Sequence, residues 1–194
     1  MTTTIITEIA IKHFARKGYE GASLAEISSE VGIKKQSIYS HFSGKDELFI
    51  TALSTVVERD ITFVEHYFVK NNTVPFETRL KGLLDSFRTQ FLKDDDIRLL
   101  LRMSFFPPEH LEEKVFSLCS HYSEKMYELF MPIFMRAHDE GEISKATETE
   151  VAVEGYIALM DCIFCEMLYS NSTQFTKRID ALWSLYWKGL NCQK

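Results

Sequence analysis

The chain is poor in reactive and structural punctuation. Only four of its 194 residues are cysteine, namely Cys119, Cys162, Cys165 and Cys192, all in the C-terminal half. Cys162 and Cys165 form a Cys-x-x-Cys, but no second pair or neighbouring histidine completes a zinc set. They are expected to serve as small buried hydrophobes, and neither metal nor other cofactor is expected. No Gly-rich phosphate loop and no Gly-x-Ser-x-Gly elbow occurs. None of the six histidines has Glu three residues before it, as four-helix metal bundles require. The chain is therefore not expected to be an enzyme. No uninterrupted apolar run reaches the roughly 18 residues of a membrane span. The N-terminus lacks the basic and hydrophobic blocks of a signal peptide. The expected location is cytoplasmic, away from membranes, where the thiols would stay reduced.

A basic excess is missing too. The net charge is −6, which at first disfavours nucleic acid. Its distribution softens that objection. Residues 1–50 hold six Lys or Arg and six Asp or Glu, so the deficit lies wholly in the rest of the chain. Phosphate binding needs only a local basic face. Lys12, Lys17, Lys34, Lys35 and Lys45 could supply one.

What is present is concentrated between Ser23 and Lys45. Ser23 precedes Glu26 by three residues, the spacing of a capping box. Leu24, Ile27 and Val31 then share a helical face, and Gly32 follows where a helix end favours a left-handed residue. Ile33 plugs the turn, while Ile38 and Phe42 anchor a second helix to the core. Upstream, Ile6, Ile9, Ala10 and Phe14 form another apolar stripe, broken at Gly18. Two short helices joined by a glycine turn, the second lined with polar donors, have the layout of a helix-turn-helix. The donors are Lys34, Lys35, Gln36, Ser37, Tyr39, Ser40 and His41. Lys35 and Gln36 stand at the start of that helix, where lysine can donate to guanine and glutamine can pair two ways with adenine. Ser37 and Ser40 are smaller and less informative.

These residues resemble the DNA-binding domain of the TetR family of bacterial regulators. The resemblance rests on Phe14-Ala15-Arg16-Lys17-Gly18-Tyr19, Ser23 to Ile27, Val31-Gly32-Ile33, Ile38-Tyr39, His41-Phe42 and Lys45-Asp46-Glu47-Leu48. It implies phosphate contacts for Tyr39, His41 and Lys45. Two positions depart from the family pattern. Ala22 stands where a capping Thr is common, leaving that role to Ser23. Lys34 stands where Ser or Thr often caps the second helix, and lysine cannot accept a backbone hydrogen bond.

From Asp46 onward the chain reads as long helices without strand signals. The expected segments are Lys45 to about Val69, Phe76 to about Leu92, one opening at Asp94-Asp95-Asp96 and stopped by Pro107-Pro108, Glu109 to Glu140 with Pro132 inside it and a kink near Met131, Thr147 to Tyr169, and Thr173 to Gly189. With about nine helices, no internal repeat and no low-complexity linker, the fold class is all-α. The organisation is an N-terminal three-helix domain with the helix-turn-helix, residues 1–46, and a larger helical domain, residues 47–194. The resemblance implies that the larger domain encloses an effector and dimerises.

Aromatic residues and methionines crowd this second part, and taken singly each reads as core. As cavity lining under the family resemblance, the candidates are Phe63, Tyr67, Phe87, Phe91, Met103, Phe106, Tyr122 and Met126. Arg102 and Asp161 are polar groups set within apolar runs. Asp161 could face a cavity or a dimer partner. The expected effector is a small hydrophobic or aromatic compound. Val151, Val153, Ile157, Leu168, Ile179, Leu182, Trp183, Leu185, Tyr186 and Trp187 offer more apolar surface than one packed side needs. The resemblance implies a homodimer through the last two helices. It also implies a repressor that binds a palindromic double-stranded operator and is released by its effector. A DNA-binding adaptor governed by a protein partner is the alternative, favoured by a filled core rather than a cavity.

Overall fold

The structure is a computed structural model that describes residues 2–91, 95–169 and 172–191, without the side chains of 88–91, 167–169 and 172. Nine α-helices account for the described architecture, and no strand occurs among these residues. In order they are α1 (Thr2–Gly21), α2 (Leu24–Val31), α3 (Lys35–Ile38), α4 (Lys45–Lys70), α5 (Phe76–Phe91), α6 (Asp95–Phe105), α7 (Glu112–Asp139), α8 (Thr149–Tyr169) and α9 (Ser172–Leu190). A 3-10 turn, Glu109–Leu111, precedes α7. The all-α expectation holds. Pro132 lies within α7, which runs unbroken through it.

Packing divides the chain into two units, residues 1–60 with 93–122, and residues 61–92 with 123–194. That grouping differs from a single cut after residue 46, because α6 packs on α1. In the first unit the stripe Ile6, Ala10 and Phe14 is buried with Ile27, Ile38, Phe42, Leu48 and Phe49. The Phe14 ring meets Phe49 edge-on, with centroids 5.1 Å apart. Gly18 breaks α1 with φ 72° and ψ 178°, a backbone open to glycine at little cost. The Arg102 guanidinium lies 3.1 Å from where a side chain at Gly18 would begin, and its Nη1 donates to the Arg16 carbonyl at 3.2 Å. Arg59 ties Glu8 of α1 to Asp96 of α6, and Arg16 pairs with Asp95 at 2.9 Å.

The second unit is built on aromatic rings. Phe130 meets Tyr156 at 5.1 Å and 90°, Phe76 meets Phe134 at 4.9 Å, and Phe87 meets Phe164 at 5.2 Å. Such edge-on pairs stabilise beyond the area they bury. Tyr156 is fully buried and its hydroxyl donates to the Leu80 carbonyl at 2.7 Å, joining α8 to α5. Burial pushes the Tyr156 phenol well above its ordinary pKa. Tyr156→Phe keeps the ring and removes the hydrogen bond, so it is expected to cost about 1–2 kcal/mol. Urea unfolding should then show a lower midpoint at an unchanged slope.

Candidate nucleic-acid interface

The helix-turn-helix is built largely as its sequence requires. Ser23 caps α2, its Oγ accepting from the Glu26 N–H at 3.2 Å. The reciprocal half differs from the expected box. The Glu26 carboxylate accepts from the Ser23 hydroxyl at 3.1 Å, and from Lys17 at 2.6 Å. Gly32 ends α2 with φ 81° and ψ 28°, and its N–H and that of Ile33 close onto the last carbonyls of the helix. These are the contacts of a left-handed helix end. Lys34 opens α3 in an extended conformation with no side-chain cap, as its chemistry requires.

The second helix is shorter than expected. Regular α3 ends at Ile38, with Tyr39 as its C-cap, and residues 39–41 continue as turns. The His41 N–H reaches the Ile38 carbonyl at 2.9 Å and that of Phe42 at 3.0 Å. Burial of Ile38 and Phe42 on either side holds this turn to the core.

The expected DNA-facing residues therefore lie close together on one short segment. Lys34, Lys35, Gln36, Tyr39, Ser40 and His41 are exposed, while Ser37 and Lys45 are partly covered. The Tyr39 ring is 52% exposed, so it is not packed onto α1 as an ordinary core ring would be. The His41 Nδ1 lies 2.9 Å from the Thr3 hydroxyl at the start of α1. The Lys45 ammonium sits 4.3 Å over the Tyr19 ring, a cation–π contact that fixes its stem near the start of α4.

The proposed basic face is smaller than the sequence suggested. Lys12 is hydrogen-bonded to Glu30, and Lys17 to Glu26 at 2.6 Å. The partners come from α2, so these lysines fasten α1 to α2. Lys34 and Lys35 make no ion pair among the described residues. Glu30 also meets His13 at 2.8 Å. These contacts hold the carboxyls of Glu26 and Glu30 below the usual carboxylate range, chiefly through hydrogen bonds from Lys17 and Lys12. At the start of α4, Tyr19 does the same for Asp46, and Ser43 for Glu47. Depressed carboxyl pKa values contribute stability above the unfolded values, about 3.9–4.3, that is lost as the pH falls through the folded values. Acid titration should therefore loosen the α1–α2–α4 junction below about pH 4. Amide exchange of residues 23–47 should quicken there, with little change between pH 6 and 8.

The expected effector-facing residues divide between the two units. Arg102, Met103, Phe106 and Tyr122 belong to the first. Arg102 is engaged beneath Gly18, Met103 is buried, Phe106 is exposed, and the Tyr122 hydroxyl donates to Asp60 at 2.7 Å. Phe63, Tyr67, Phe87, Met126 and Asp161 belong to the second. Phe63 packs against Phe87 at 6.0 Å, Tyr67 donates to the Arg79 carbonyl at 3.0 Å, and Met126 is buried. The side chain of Phe91 lies outside the described residues. Asp161 is on the exposed side of α8, where neighbouring atoms withdraw enough water to raise its carboxyl pKa.

Two expectations for the last helices change. Cys162 is exposed and Cys165 only partly covered, so the Cys-x-x-Cys is not a pair of buried hydrophobes. Within the apolar set on α8 and α9, Val153, Ile179 and Trp183 are buried in the subunit, and Trp183 stacks on Trp187 at 5.7 Å. Leu168 lies outside the described side chains. Val151 and Leu185 remain outward, at 60% and 71% exposure. No described helix is long and apolar enough to cross a membrane, and no cluster of three metal-binding side chains occurs among the described residues.

Residues 6–52 match the family model for bacterial regulatory proteins of the tetR family. Over 105 residues the chain is 31% identical to IcaR of Staphylococcus epidermidis, the HTH-type negative transcriptional regulator of the biofilm operon icaADBC. That match covers 53% of this chain and 53% of IcaR, so the chain spans about half the length of this curated relative. The fold is similar to a TetR transcription regulator from Haloarcula marismortui, with a TM-score of 0.77 and 20% identity over 97% of each chain. It is also similar to FadR from Bacillus subtilis in complex with stearoyl-CoA, with a TM-score of 0.68 and 14% identity, covering 97% of this chain and 99% of that one. The glycine-ended α2 and the short polar α3 agree with these likenesses: residues 6–52 are similar to the bacterial regulatory proteins of the tetR family, and the fold of the chain is similar to that of TetR regulators.

Proposed function

We propose that this chain is a transcriptional repressor that binds a two-fold symmetric operator as a homodimer and leaves it when a hydrophobic small molecule binds. The observation that carries the proposal is the segment Lys34–His41, which turns six polar or aromatic side chains outward while Ile38 is fully buried. A helix in the major groove reads bases from its first residues and holds phosphates from its flanks. Lys35 and Gln36 take the first role. Tyr39, His41 and Lys45 take the second, with Lys34 and the hydroxyls of Ser37 and Ser40 alongside. Repression is favoured because IcaR of Staphylococcus epidermidis, one of the curated relatives, is a negative regulator.

Dimerisation follows from the operator's symmetry, since two reading helices must sit roughly 34–36 Å apart, one turn of DNA. The surface assigned to it is the outward apolar strip of α8 and α9, around Val151 and Leu185. Release is a shift of population toward a spacing that no longer fits the operator. The lever assigned to this is α4, which is continuous from Lys45 to Lys70. A change in its second half, such as Val64→Ile, is expected to alter the effector concentration needed for release while leaving operator affinity without effector within about threefold. Mobility-shift titrations with and without effector measure both quantities. Equal loss of both would remove α4 from this role.

Selection of genomic DNA fragments by the purified chain tests the proposal, with Tyr39→Ala and Lys45→Ala as controls. Enrichment of a near-palindromic site that Gln36→Ala loses, with Tyr39→Ala and Lys45→Ala weakening all fragments together, supports it. Enrichment that appears only with a second protein would favour the adaptor reading.

A further inference from the structure

In the unit formed by residues 61–92 and 123–194, the end of α4, Arg79 in the first turn of α5 and the C-terminal half of α7 line a cleft of about 580 Å³. Small-molecule sites commonly span about 300–1,000 Å³. Its walls include Phe68, Val69, Leu129 and Ile133, and two arginines, Arg79 and Arg136, also line it. None of these six was among the residues that sequence reasoning nominated for an effector.

Arg79 is the unusual member. It is only 7% exposed, and its Nε–H is buried without a hydrogen-bond partner. A buried guanidinium left partly unsatisfied is costly, so such a group calls for an anion or a structural reason. The structural partner is a weak one. Glu142 stands 3.6 Å from Arg79 Nη2, beyond hydrogen-bond reach, and its other oxygen accepts from the Phe76 N–H at 2.7 Å, capping α5. One face of the guanidinium is held 5.5 Å from the Phe76 ring centroid, and the Tyr67 hydroxyl clasps the Arg79 backbone. The cation is thus oriented beside an apolar cleft with donor capacity to spare. Arg136 is exposed and commits its Nε to Glu140 at 2.7 Å, which leaves its terminal nitrogens without a partner among the described residues. Glu65 also lines the cleft and disfavours a second negative charge on a ligand.

We infer that this cleft binds an amphipathic organic acid, its carboxylate on Arg79 and its apolar chain along Phe68, Val69, Leu129 and Ile133. Arg136 supplies a secondary donor at the mouth. Arginine suits this task because its planar fork matches a carboxylate in two parallel hydrogen bonds. The binding site stands on its own geometry, whereas its role as the effector site rests on the repressor reading.

The test uses the full chain without DNA and three probes of equal chain length: sodium decanoate, decan-1-ol and decyltrimethylammonium. Isothermal titration calorimetry reads the binding of each probe. Decanoate is expected to bind at least about tenfold more tightly than the alcohol or the cation, as charged hydrogen bonds allow. Arg79→Gln should abolish that preference, and Arg79→Lys should keep part of it. Arg136→Gln alters an exposed residue and should weaken decanoate about threefold without disturbing the fold. Equal binding of the three probes would overturn the inference. So would a preference that survives both Arg79→Gln and Arg136→Gln in folded protein. Decanoate is then added to the protein on its selected operator. Release supports the effector role, and tight binding without release overturns that role without touching the operator reading, which DNA selection tests separately.

Discussion

A protein carrying Gln36→Ala on both protomers is expected to bind its operator about 2–6 kcal/mol more weakly, since each two-pronged pairing with adenine discriminates by about 1–3 kcal/mol and a symmetric site contains two. In affinity that is from about thirtyfold to more than ten-thousandfold. The loss should be specific. Non-specific DNA, read through phosphates alone, should bind the variant almost as well as the parent. Gln36 is exposed on a four-residue helix whose buried anchor is Ile38, so the substitution leaves packing intact. Lys45→Ala should behave differently, weakening all sequences alike and lowering the salt slope by about one per protomer. Mobility-shift titrations at several salt concentrations separate the two behaviours. A Gln36 variant that lost specific and non-specific binding equally would mean that this residue does not read bases.

The second large effect is expected at the other end of the chain. Val151→Asp together with Leu185→Asp should convert the proposed dimer to monomers and lower operator affinity by at least about a thousandfold at nanomolar protein. Both side chains are exposed in the single subunit, so the substitutions cost its fold little. In a dimer each would bury a carboxylate against apolar surface, at several kcal/mol per uncompensated charge. Two copies of each in a symmetric interface multiply the penalty. Sedimentation velocity measures the assembly, and circular dichroism checks that the monomer keeps its helices. A dimer that survived both substitutions would place the interface elsewhere.

What was legible in the sequence was local. Ser23, Gly32 and the Leu24–Ile27–Val31 face act within one turn of their own positions, so spacing alone located α2 and its ends. The long helices were legible for the same reason, down to the end of α7, where Gly141 takes φ 75°. Contacts across the chain were not. Lys12 and Lys17 read as free cations, because nothing in sequence ties Glu30 and Glu26 to them across the α1–α2 packing. Arg102 read as a polar group for an effector, yet its guanidinium fills the space that Gly18 leaves 84 residues earlier. The two ends of α3 split in the same way. The missing cap at Lys34 was visible from side-chain chemistry, whereas the early stop at Ile38 depends on how Phe42 is drawn into the core. On α8, apolar residues occur on every side, so periodicity could not tell the buried Val153 and Tyr156 from the outward Val151 and Cys162. A single arginine near a helix start has the sequence signature of surface, and only burial in the fold distinguishes Arg79.

The central claim is that Lys34–His41 reads a symmetric DNA sequence, and selection of genomic fragments by the purified protein tests it most directly. The account predicts one enriched near-palindrome with half-sites about ten base pairs apart, lost with Gln36→Ala and weakened together with all other DNA by Tyr39→Ala. Recovery of only salt-sensitive, sequence-independent binding, unchanged in those variants, would contradict it.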